Sequence, residues 1–377
     1  MNILHVAPID SNKISGIRQN AVSLAKAQNL LEGTRAGLLI SSDDPHPWQL
    51  PGIPTITKHT LTKGCPRSQW IERIAQAVCY PDLVVFHSTF IPFHAWLGEQ
   101  LTLRGIPYII CPRGGMTREA LGQRAWKKWL GRRLFFDQFV AGAAAIQFLR
   151  QRELERSGDW GRPMIIAGNG VWLPDENLCA RPGTHQQRIF LFLGRLDIHI
   201  KGLDVLVEAC QRCQSVLRHH GTVIRLVGPS FRGSGEWLEK EIRARGIGDI
   251  VQLFGAVGAE ERSRVLAEAD LLLQPSRTEG HPASVIEALA HGLPVLISPE
   301  TNMLNEVLAA RAGWGVSVHP LELARELVRL SLVRGEVLAE AGRAARRYAV
   351  RELSWQRVAA KTAEKYRQIL RVVRRAA

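Results

Sequence analysis

Residues 188–217 read RIFLFLGRLDIHIKGLDVLVEACQRCQSVL, and this stretch decides the fold class. The apolar run at 188–193 is typical of a buried strand, and the spacing of apolar residues predicts a helix over 202–217. The short loop between them carries two glycines and two cations. A buried strand that leads through a short loop into a helix is the repeating unit of a parallel sheet covered by helices on both faces.

The same alternation of short strands and helices occurs twice, once on each side of residues 172–186. That segment, WLPDENLCARPGTHQ, contains two prolines and one glycine and is predicted to be a linker. The predicted fold class is therefore α/β, with two Rossmann-like doubly wound parallel-sheet domains, 1–173 and 186–355, that face a central cleft. Ligands of open α/β sheets bind outside the carboxyl ends of the strands, which directs attention to the loops there.

The composition is ordinary except for its charge. Of 377 residues, 46% are hydrophobic and 22% are charged, which excludes a disordered, fibrous or coiled-coil chain. The 49 Lys and Arg residues exceed the 35 Asp and Glu residues and give a net charge of +14. Such an excess favours an anionic partner: nucleic acid, an acidic membrane surface or phosphorylated small molecules.

The sequence also indicates where the protein works. The run MNILHVAPIDSNK does not have the pattern of a signal peptide, and no stretch approaches the ~18 apolar residues of a membrane span. We therefore expect a cytoplasmic protein. Its six cysteines are scattered along the chain, so we expect them to be reduced thiols. Cys210 and Cys213 form a Cys-x2-Cys pair, but they lie within a predicted helix without a second pair, which argues against a zinc or redox site.

The first candidate motif is the loop 194–202, GRLDIHIKG. Arg195 and Lys201 lie six positions apart at the carboxyl end of a predicted strand. The helix that follows presents unpaired N–H groups and the positive end of its dipole. The loop therefore suits a phosphate or diphosphate, although two solvated surface cations would explain it about equally well.

The second candidate motif is 275–289, PSRTEGHPASVIEAL. Glu279 precedes a predicted helix, Glu287 lies within it, and backbone N–H groups over 280–284 mark the helix start. These carboxylates could accept hydrogen bonds from sugar hydroxyls and a ribose diol. For a generic pair of glutamates, a dipole-complementing residue and a surface residue are the more common explanation.

A third, weaker motif is Ser15-Gly16 before the first predicted helix, where glycine permits close backbone approach to a ligand. It matches neither Gly-x-Gly-x-x-Gly nor a Walker loop.

Taken together, these motifs resemble the retaining nucleotide-sugar glycosyltransferases of family 4, which have the GT-B fold. The resemblance is carried by Gly-Arg-Leu…Lys-Gly at 194–202, Pro275-Ser276, the pair Glu279/Glu287, and AHGLPV at 290–295. Asn169-Gly170-Val171 is similar to the family's Pro-Asn-Gly-Val segment, with Gly168 in place of the proline. The similarity is most specific over about residues 188–300 and weaker over the N-terminal half.

The resemblance implies a role for each matching residue. Arg195, Lys201 and Glu279 are implied as catalytic: the two cations would stabilise the leaving diphosphate, and Glu279 would hold the transferred sugar. Glu287 would bind the ribose, and Gly16 would lie near the diphosphate. The helix start would contact the sugar and the β-phosphate, through residues Gly280, His281, Pro282, Ala283 and Ser284. The domain 1–173 would bind the acceptor, 186–355 the nucleotide-sugar, and the helix 356–377 would return to the first domain.

One position departs from the family pattern. Many relatives carry a histidine at the end of the strand that here ends in Cys111-Pro112-Arg113. Arg113 could act electrostatically but cannot be a general base, because it stays protonated. His87, at the end of the preceding strand, is a second candidate for substrate contact; otherwise it would be a helix-capping or loop histidine.

The resemblance implies a retaining, metal-independent hexosyltransferase without a cofactor, which moves a sugar from a UDP- or GDP-sugar to a glycan or lipid-linked acceptor in cell-surface polysaccharide biosynthesis. A phosphorylase of the same fold would need a pyridoxal-phosphate lysine, and Lys201 is better explained by the diphosphate. The alternative is a basic membrane- or nucleic-acid-binding protein without transferase activity. No nucleic-acid-binding motif supports a nucleic-acid partner.

Half of the excess charge lies in one stretch. Between Arg104 and Arg133, eight Arg or Lys residues accompany one Glu, and tryptophans interleave with the cations over 118–136. This pattern is typical of a helix that lies in an anionic membrane interface, at the inner face of the plasma membrane. A core-facing apolar stripe with a solvated basic face explains it equally well.

Overall fold

The computed structural model describes residues 1–10, 16–43, 48, 50–122, 136–184 and 186–376. Its chain divides into two compact units. The first contains Met1–Gly170 together with Trp355–Ala377, and the second contains Val171–Ser354. Each unit is built on its own parallel sheet.

The sheet of the first unit has seven parallel strands in the order β3-β2-β1-β4-β5-β6-β7. Its central strands are buried on both faces, which explains why they read as continuous apolar runs without alternation. The strands are β1 Asn2–Ala7, β2 Arg35–Ile40, β3 Thr55–Thr57, β4 Leu83–His87, β5 Tyr108–Cys111, β6 Ala145–Phe148 and β7 Met164–Ile166.

Helices connect these strands, and the last helix of the chain returns to the same unit. The helices described here are α1 Gly16–Gln28, α2 Lys58–Thr62, α3 Trp70–Ala77, α4 Pro92–Leu103, α5 Arg118–Gly122, α6 Asp137–Ala141 and α7 Gln151–Ser157. The C-terminal helix Trp355–Ala376 packs on α1, with Trp355 buried against Leu24. Farther along it, the fully buried Tyr366 donates a hydrogen bond to Gln147 Oε1 at 2.6 Å.

The second unit contains a six-stranded parallel sheet in the order β10-β9-β8-β11-β12-β13. Its strands are β8 Arg188–Leu193, β9 Thr222–Val227, β10 Val251–Phe254, β11 Leu271–Gln274, β12 Val295–Ile297 and β13 Gly313–Gly315. One apolar core lies on each side of this sheet, and side chains of β8 alternate between them: Phe190 and Phe192 face one core, Leu191 and Leu193 the other. Because all strands of this sheet are parallel, every βα loop of this unit lies at the same end of the sheet.

Helices of the second unit cover both cores. They are α8 Leu203–His219, α9 Ser234–Ala244, α10 Ala259–Ala267, α11 Ala283–Ala290, α12 Leu304–Ala309, α13 Pro320–Leu332 and α14 Gly335–Tyr348, so the C-terminal helix Trp355–Ala376 is α15. A single π-helical turn, Ala349–Leu353, precedes α15.

The predicted fold class, α/β with two Rossmann-like parallel-sheet domains, is confirmed. Several short elements were not predicted from the sequence, among them the helices α2, α7 and α12 and the edge strand β13, which contains two glycines. Within the segment predicted as a linker, Ala180 N donates to His291 O at 2.7 Å and Gly183 N to Asp270 Oδ1 at 2.6 Å. The described part of this segment is therefore fastened to the second unit.

The basic stretch 118–136 falls largely outside the described residues, which omit 123–135. Helix α5 precedes this gap and helix α6 follows it. Neither the membrane-interface interpretation nor the core-facing one is decided by the described part of the chain.

Candidate functional site

The loop 194–202 follows β8 and packs against the loop that follows β11. Gly202 makes this packing possible, since it adopts φ +66° and a Cβ there would lie 2.1 Å from the carbonyl oxygen of Pro275. A side chain at this position would be both strained and sterically excluded. The two motifs recognised in the sequence are therefore neighbours in space.

Arg277 fastens the two loops together. Its backbone N–H donates to Ile200 O at 2.8 Å, and its guanidinium donates to His199 O at 2.8 Å. The same guanidinium makes a bidentate pair with Asp204 in α8, with both distances 2.7 Å. Burial acts to raise the pKa of Asp204, but the hydrogen bonds from Arg277 outweigh it and the pKa lies below its ordinary value. Arg277 thus fixes the geometry of both loops, a role that the sequence analysis did not assign.

Lys201 and Glu279 form an ion pair at the centre of this loop cluster. Their side chains are only 14% and 13% exposed. Ser276 Oγ donates to Glu279 Oε1 at 3.0 Å, and Gln274 Nε2 donates to the same oxygen at 3.2 Å. Three donors therefore converge on Oε1, while Oε2 receives no hydrogen bond from any residue that the structure describes.

The backbone of Glu279 is held as firmly as its side chain. Its N–H donates to Glu300 O at 3.0 Å, and the amide of Asn302 donates to the carbonyl oxygens of Glu279 and Gly280. Asn302 takes a left-handed conformation, with φ 58°, to make these contacts. A non-glycine residue in this conformation is typical of constrained functional loops.

The helix α11 starts beside this carboxylate. Ser284, in its first turn, donates from Oγ to Gln274 Oε1 at 2.9 Å, and His281 is buried. Pro282 occupies the N-cap position and has no backbone N–H, so the expectation that all residues of 280–284 present N–H groups is wrong at this position. Gly280, His281, Ala283 and Ser284 each retain a backbone N–H at this helix start.

Glu287 lies in the middle of α11 and pairs with Arg262 of α10. Arg262 Nε donates to Glu287 Oε2, and the carboxylate side chain is 14% exposed. The other oxygen, Oε1, has no partner among the described side chains. Glu287 is thus a partly buried carboxylate held by a cation, which differs from the ordinary surface glutamate of the alternative interpretation.

Arg195 is held more loosely than Lys201. Its side chain is 50% exposed, its guanidinium lies 4.2 Å from the centre of the Phe231 ring, and its ion pair with Asp197 is 3.5 Å long. A half-exposed cation on an aromatic face keeps its charge available to a ligand, but water screens that charge more strongly.

The first unit brings Arg113 and His87 together. Arg113 donates to His87 Nδ1 from both its Nη2 at 2.9 Å and its Nε at 3.3 Å, and its Nη1 donates to Asn169 Oδ1 at 3.0 Å. His87 is the last residue of β4 and is fully buried, so it is neither a helix-capping nor a loop histidine. Gly16 begins α1, where Asn20 Nδ2 donates to its carbonyl oxygen at 2.6 Å.

The loop that carries Arg113 is itself constrained. Arg113 has φ 50°, an uncommon value for a side chain of its size. The buried Glu153 accepts hydrogen bonds from the backbone N–H of Gly114 and, at 2.7 Å, of Leu149. Burial raises the pKa of Glu153. One carboxylate oxygen therefore holds the backbone beside Arg113, and the other holds the residue that follows β6.

Among the described residues, no group of three or more His, Cys, Asp or Glu side chains could hold a metal ion. All six cysteines are free, and Cys210 and Cys213 are buried within α8. Burial raises the pKa of Cys213 to about 11, which leaves that thiol protonated at neutral pH. No helix in the described part of the chain is long and apolar enough to cross a membrane.

Comparison with known proteins shows which family the second unit resembles. Residues 187–332 match the family described as glycosyl transferases group 1. The amylovoran biosynthesis glycosyltransferase AmsK of Erwinia amylovora is 31% identical over 200 residues, which cover 51% of this chain and 48% of that protein. The chain thus spans about half the length of this relative.

A second relative covers more of the chain at lower identity. The GDP-mannose:cellobiosyl-diphosphopolyprenol alpha-mannosyltransferase of Xanthomonas oryzae is 23% identical over 322 residues, 83% of this chain and 80% of that protein.

Solved structures establish the fold of the whole chain. Anabaena Alr3699/HepE in complex with UDP superposes with a TM-score of 0.74 at 18% identity over 98% of this chain and 100% of that one. Sucrose-phosphate synthase from Thermosynechococcus elongatus gives 0.70 at 18% identity over 98% and 99%. These neighbours confirm the GT-B fold class predicted from the sequence. The chain is similar to the glycosyl transferases group 1 over residues 187–332.

Proposed function

We propose that the protein is a retaining glycosyltransferase that moves a hexosyl group from a UDP- or GDP-sugar to a glycan or lipid-linked acceptor, in cell-surface polysaccharide biosynthesis. The family match over 187–332 supports a transferase. The names of the two relatives above, one from amylovoran biosynthesis and one that uses a diphosphopolyprenol, support the acceptor class.

The observation that carries the proposal is the arrangement around Glu279. Three donors hold Oε1, and Oε2 is left without a donor among the described residues. An ionised carboxylate accepts several hydrogen bonds, and an oxygen left open in a pre-organised group is suited to sugar hydroxyls. Because Glu279 does not need to reorganise to bind, the sugar would be oriented at little entropic cost.

Lys201 and Arg195 would neutralise the leaving diphosphate. Negative charge accumulates on the diphosphate as the glycosidic bond to the nucleotide breaks, so a fixed cation stabilises the transition state more than the ground state. Lys201 is the better fixed of the two because Glu279 holds it in a nearly buried pair. In this proposal these two side chains supply the positive charge and no metal or other cofactor takes part.

Glu287 would bind the ribose hydroxyls with its open oxygen, while Arg262 holds the carboxylate in place. The backbone N–H groups of Gly280, His281, Ala283 and Ser284 would contact the sugar and the β-phosphate. In the first unit, Gly16 and Arg113 would contact the substrate, and His87 would act through Arg113 because it has no exposed surface.

The direct test measures donor use by the purified full-length chain. UDP-glucose, UDP-galactose, GDP-mannose and ADP-glucose are each followed for release of the nucleoside diphosphate, and UDP, GDP and ADP for a rise in melting temperature. We expect one nucleotide to raise the melting temperature and its sugar to be turned over. The stereochemistry of the product, read by NMR, tests retention.

The matched variants are Glu279→Gln and Glu239→Gln. The first removes the charge of the proposed sugar ligand and should lower turnover by about 10²–10³, as for a lost transition-state contact. Glu239 lies exposed in α9 and should be insensitive. Equal turnover in the two variants, or no effect of any nucleotide on the melting temperature, would contradict the proposal.

A further inference from the structure

A line of buried polar side chains runs inward from Arg113 and His87, and the proposed function gives no role to the residues behind His87. Arg113 contacts His87 Nδ1, His87 Nε2 lies 3.0 Å from His5 Nδ1, and His5 Nε2 lies 2.7 Å from Gln28 Oε1. These residues come from the ends of β5, β4 and α1 and from the middle of β1. His5, His87 and Gln28 have no exposed surface.

The direction of every hydrogen bond in this line is determined by Arg113. A guanidinium only donates, so His87 Nδ1 must accept and the proton of a neutral His87 must lie on Nε2. That N–H donates to His5 Nδ1, which places the proton of His5 on Nε2, where it donates to Gln28 Oε1. One assignment thus satisfies both rings, and it requires both to be neutral.

The surroundings favour this neutral state. Burial lowers the pKa of His5 to about 4 and that of His87 well below its ordinary value, and the positive charge of Arg113 acts in the same direction on both. The buried Nε2 of Gln28 has no acceptor among the described residues. The Gln28 amide thus directs its oxygen toward His5 and leaves its N–H donors without a described acceptor. This orientation is expected if the N–H of His5 needs an acceptor at this end of the line.

Arg113 emerges from this line as a fixed cation with spare donors. Its five N–H groups meet His87 twice and Asn169 once, which leaves two N–H groups without a described acceptor. Both carboxylate oxygens of Glu153 accept hydrogen bonds from backbone N–H groups. Within the described part of the chain the guanidinium is therefore oriented by neutral partners, and no carboxylate there forms an ion pair with it.

We infer that His87, His5 and Gln28 are positioning residues: they form a one-way hydrogen-bond relay that holds Arg113 as an uncompensated cation for an anionic group, a phosphate or carboxylate, of the substrate bound by the first unit. A carboxylate in the place of His87 would orient Arg113 equally well but would consume its charge. A neutral imidazole orients the guanidinium and leaves the charge for the ligand. The role of the relay in substrate binding rests on the proposed function. The direction of its hydrogen bonds does not.

The first arm of the test determines the tautomers and needs no activity. In protein labelled with ¹⁵N-histidine, we expect long-range ¹H–¹⁵N correlations to show His5 and His87 as neutral Nε2–H tautomers at pH 7. The variants His5→Gln and His87→Gln assign the two signals. A proton on Nδ1 of His87, or a charged ring in either residue at pH 7, would overturn the inference.

The second arm uses two substitutions of the residue farthest from Arg113. Gln28→Met removes the last acceptor, and the near-isosteric Gln28→Glu places a carboxylate beside His5 and favours its imidazolium. A charged His5 donates from both nitrogens, so His87 Nε2 would have to accept and its Nδ1 proton would face Arg113. The glutamate should therefore disturb Arg113 more than methionine does, although it preserves size and hydrogen-bonding capacity better.

The kinetic measurement tests whether glutamate at position 28 disturbs Arg113 more than methionine does. We expect the KM of the substrate that carries the anion to rise about 3-fold in Gln28→Met and about 10-fold or more in Gln28→Glu, with kcat changed less than twofold. A rise for the donor identifies its diphosphate as the anion, and a rise for the acceptor places the anion there. A loss of kcat in both variants without a change in either KM, or a smaller effect of glutamate than of methionine, would contradict the inference.

His94→Gln provides the control for the removal of a buried polar contact. His94 is fully buried in the same unit and contacts Ser41 Oγ at 2.8 Å and Ser88 O at 3.2 Å, without a hydrogen bond to the relay. It should leave both KM values within twofold of the parent. If the parent protein transfers no sugar, the proposed function fails, and the tautomer measurement still decides the relay.

Discussion

The loop cluster around Lys201 in the second unit and the relay behind Arg113 in the first unit solve the same problem in opposite ways. Each holds a cation at the carboxyl end of a parallel sheet. Lys201 is paired with a carboxylate, and both side chains are partly exposed. Arg113 is held by a neutral imidazole and an amide, and the groups behind it are fully buried.

The difference concerns what is left for a ligand. In the second unit the pair is locally neutral, and it offers one open carboxylate oxygen together with the remaining N–H groups of Lys201. In the first unit no described carboxylate pairs with the guanidinium of Arg113, and two of its N–H groups have no described acceptor. We therefore expect a bifunctional site that binds hydroxyls and phosphate at Lys201–Glu279, and a purely anion-selective site at Arg113. Three predictions test this distinction.

The largest effect is expected from the Lys201–Glu279 pair. Lys201→Ala and Glu279→Ala should each lower kcat/KM by about 10²–10³, because each removes a transition-state contact and leaves its partner unpaired. Since the two residues act as one unit, the double variant should lose little more than either single variant. Steady-state kinetics of the four proteins gives the coupling energy directly.

Lys240→Ala is the matched control, because Lys240 is an exposed lysine of the same unit and should be silent. Losses that multiply in the double variant would show that the two residues act independently. The contrast between a paired and an unpaired cation would then have no functional meaning.

Much of the loop cluster could be predicted from the sequence, and the relay could not. Lys201 and Glu279 lie in short segments where strand, loop and helix follow one another, so local pattern places both at the same edge of the sheet. Their contact depends on Gly202 and Arg277, and the sequence pattern gave no role to Arg277 because surface arginines are common. What brings the two loops together is tertiary packing.

The relay depends almost wholly on tertiary pairing. His5 lies in β1, His87 in β4 and Gln28 at the end of α1, and only the strand order β2-β1-β4-β5 makes the strands neighbours. A signal was nevertheless present. His5 interrupts the apolar strand NILHVA, and His87 ends the apolar strand LVVFH. A lone polar residue within a buried strand must find a partner, so it marks a network even when its partners cannot be named.

The second prediction concerns the dependence of stability on pH. The folded protein keeps His5 and His94 neutral, with pKa values of about 4 and about 3, mainly because burial disfavours the charged ring. An unfolded histidine titrates near 6.5, so below that pH the unfolded chain binds protons that the folded chain does not. The free energy of unfolding should therefore keep its whole contribution from these neutral histidines above pH 6.5. It should fall as the pH is lowered through 6.5 toward 4.

Each such histidine contributes a slope of at most about 1.4 kcal/mol per pH unit in that window. Urea unfolding at pH 7.5, 6.5 and 5.5 measures the total slope. His5→Gln should make it shallower, while Lys201→Ala should leave it unchanged, because the loop cluster does not depend on a neutral histidine. An equal slope in all three proteins would remove the distinction between a neutral relay and a charged pair.

The smallest effect is expected at Arg195, the second cation of the loop cluster. Arg195→Ala should lower kcat/KM by about 10-fold, well below the loss expected for Lys201, because its half-exposed charge is screened by water and its ion pair with Asp197 is long. Arg232→Ala is the control: its guanidinium also lies over the Phe231 ring, at 5.0 Å, but it has no assigned role. If the Arg195 variant lost as much activity as the Lys201 variant, fixation by a carboxylate would not be what makes a cation effective in this protein. The effect of Arg113, which no carboxylate holds, would then have to be reconsidered on the same grounds.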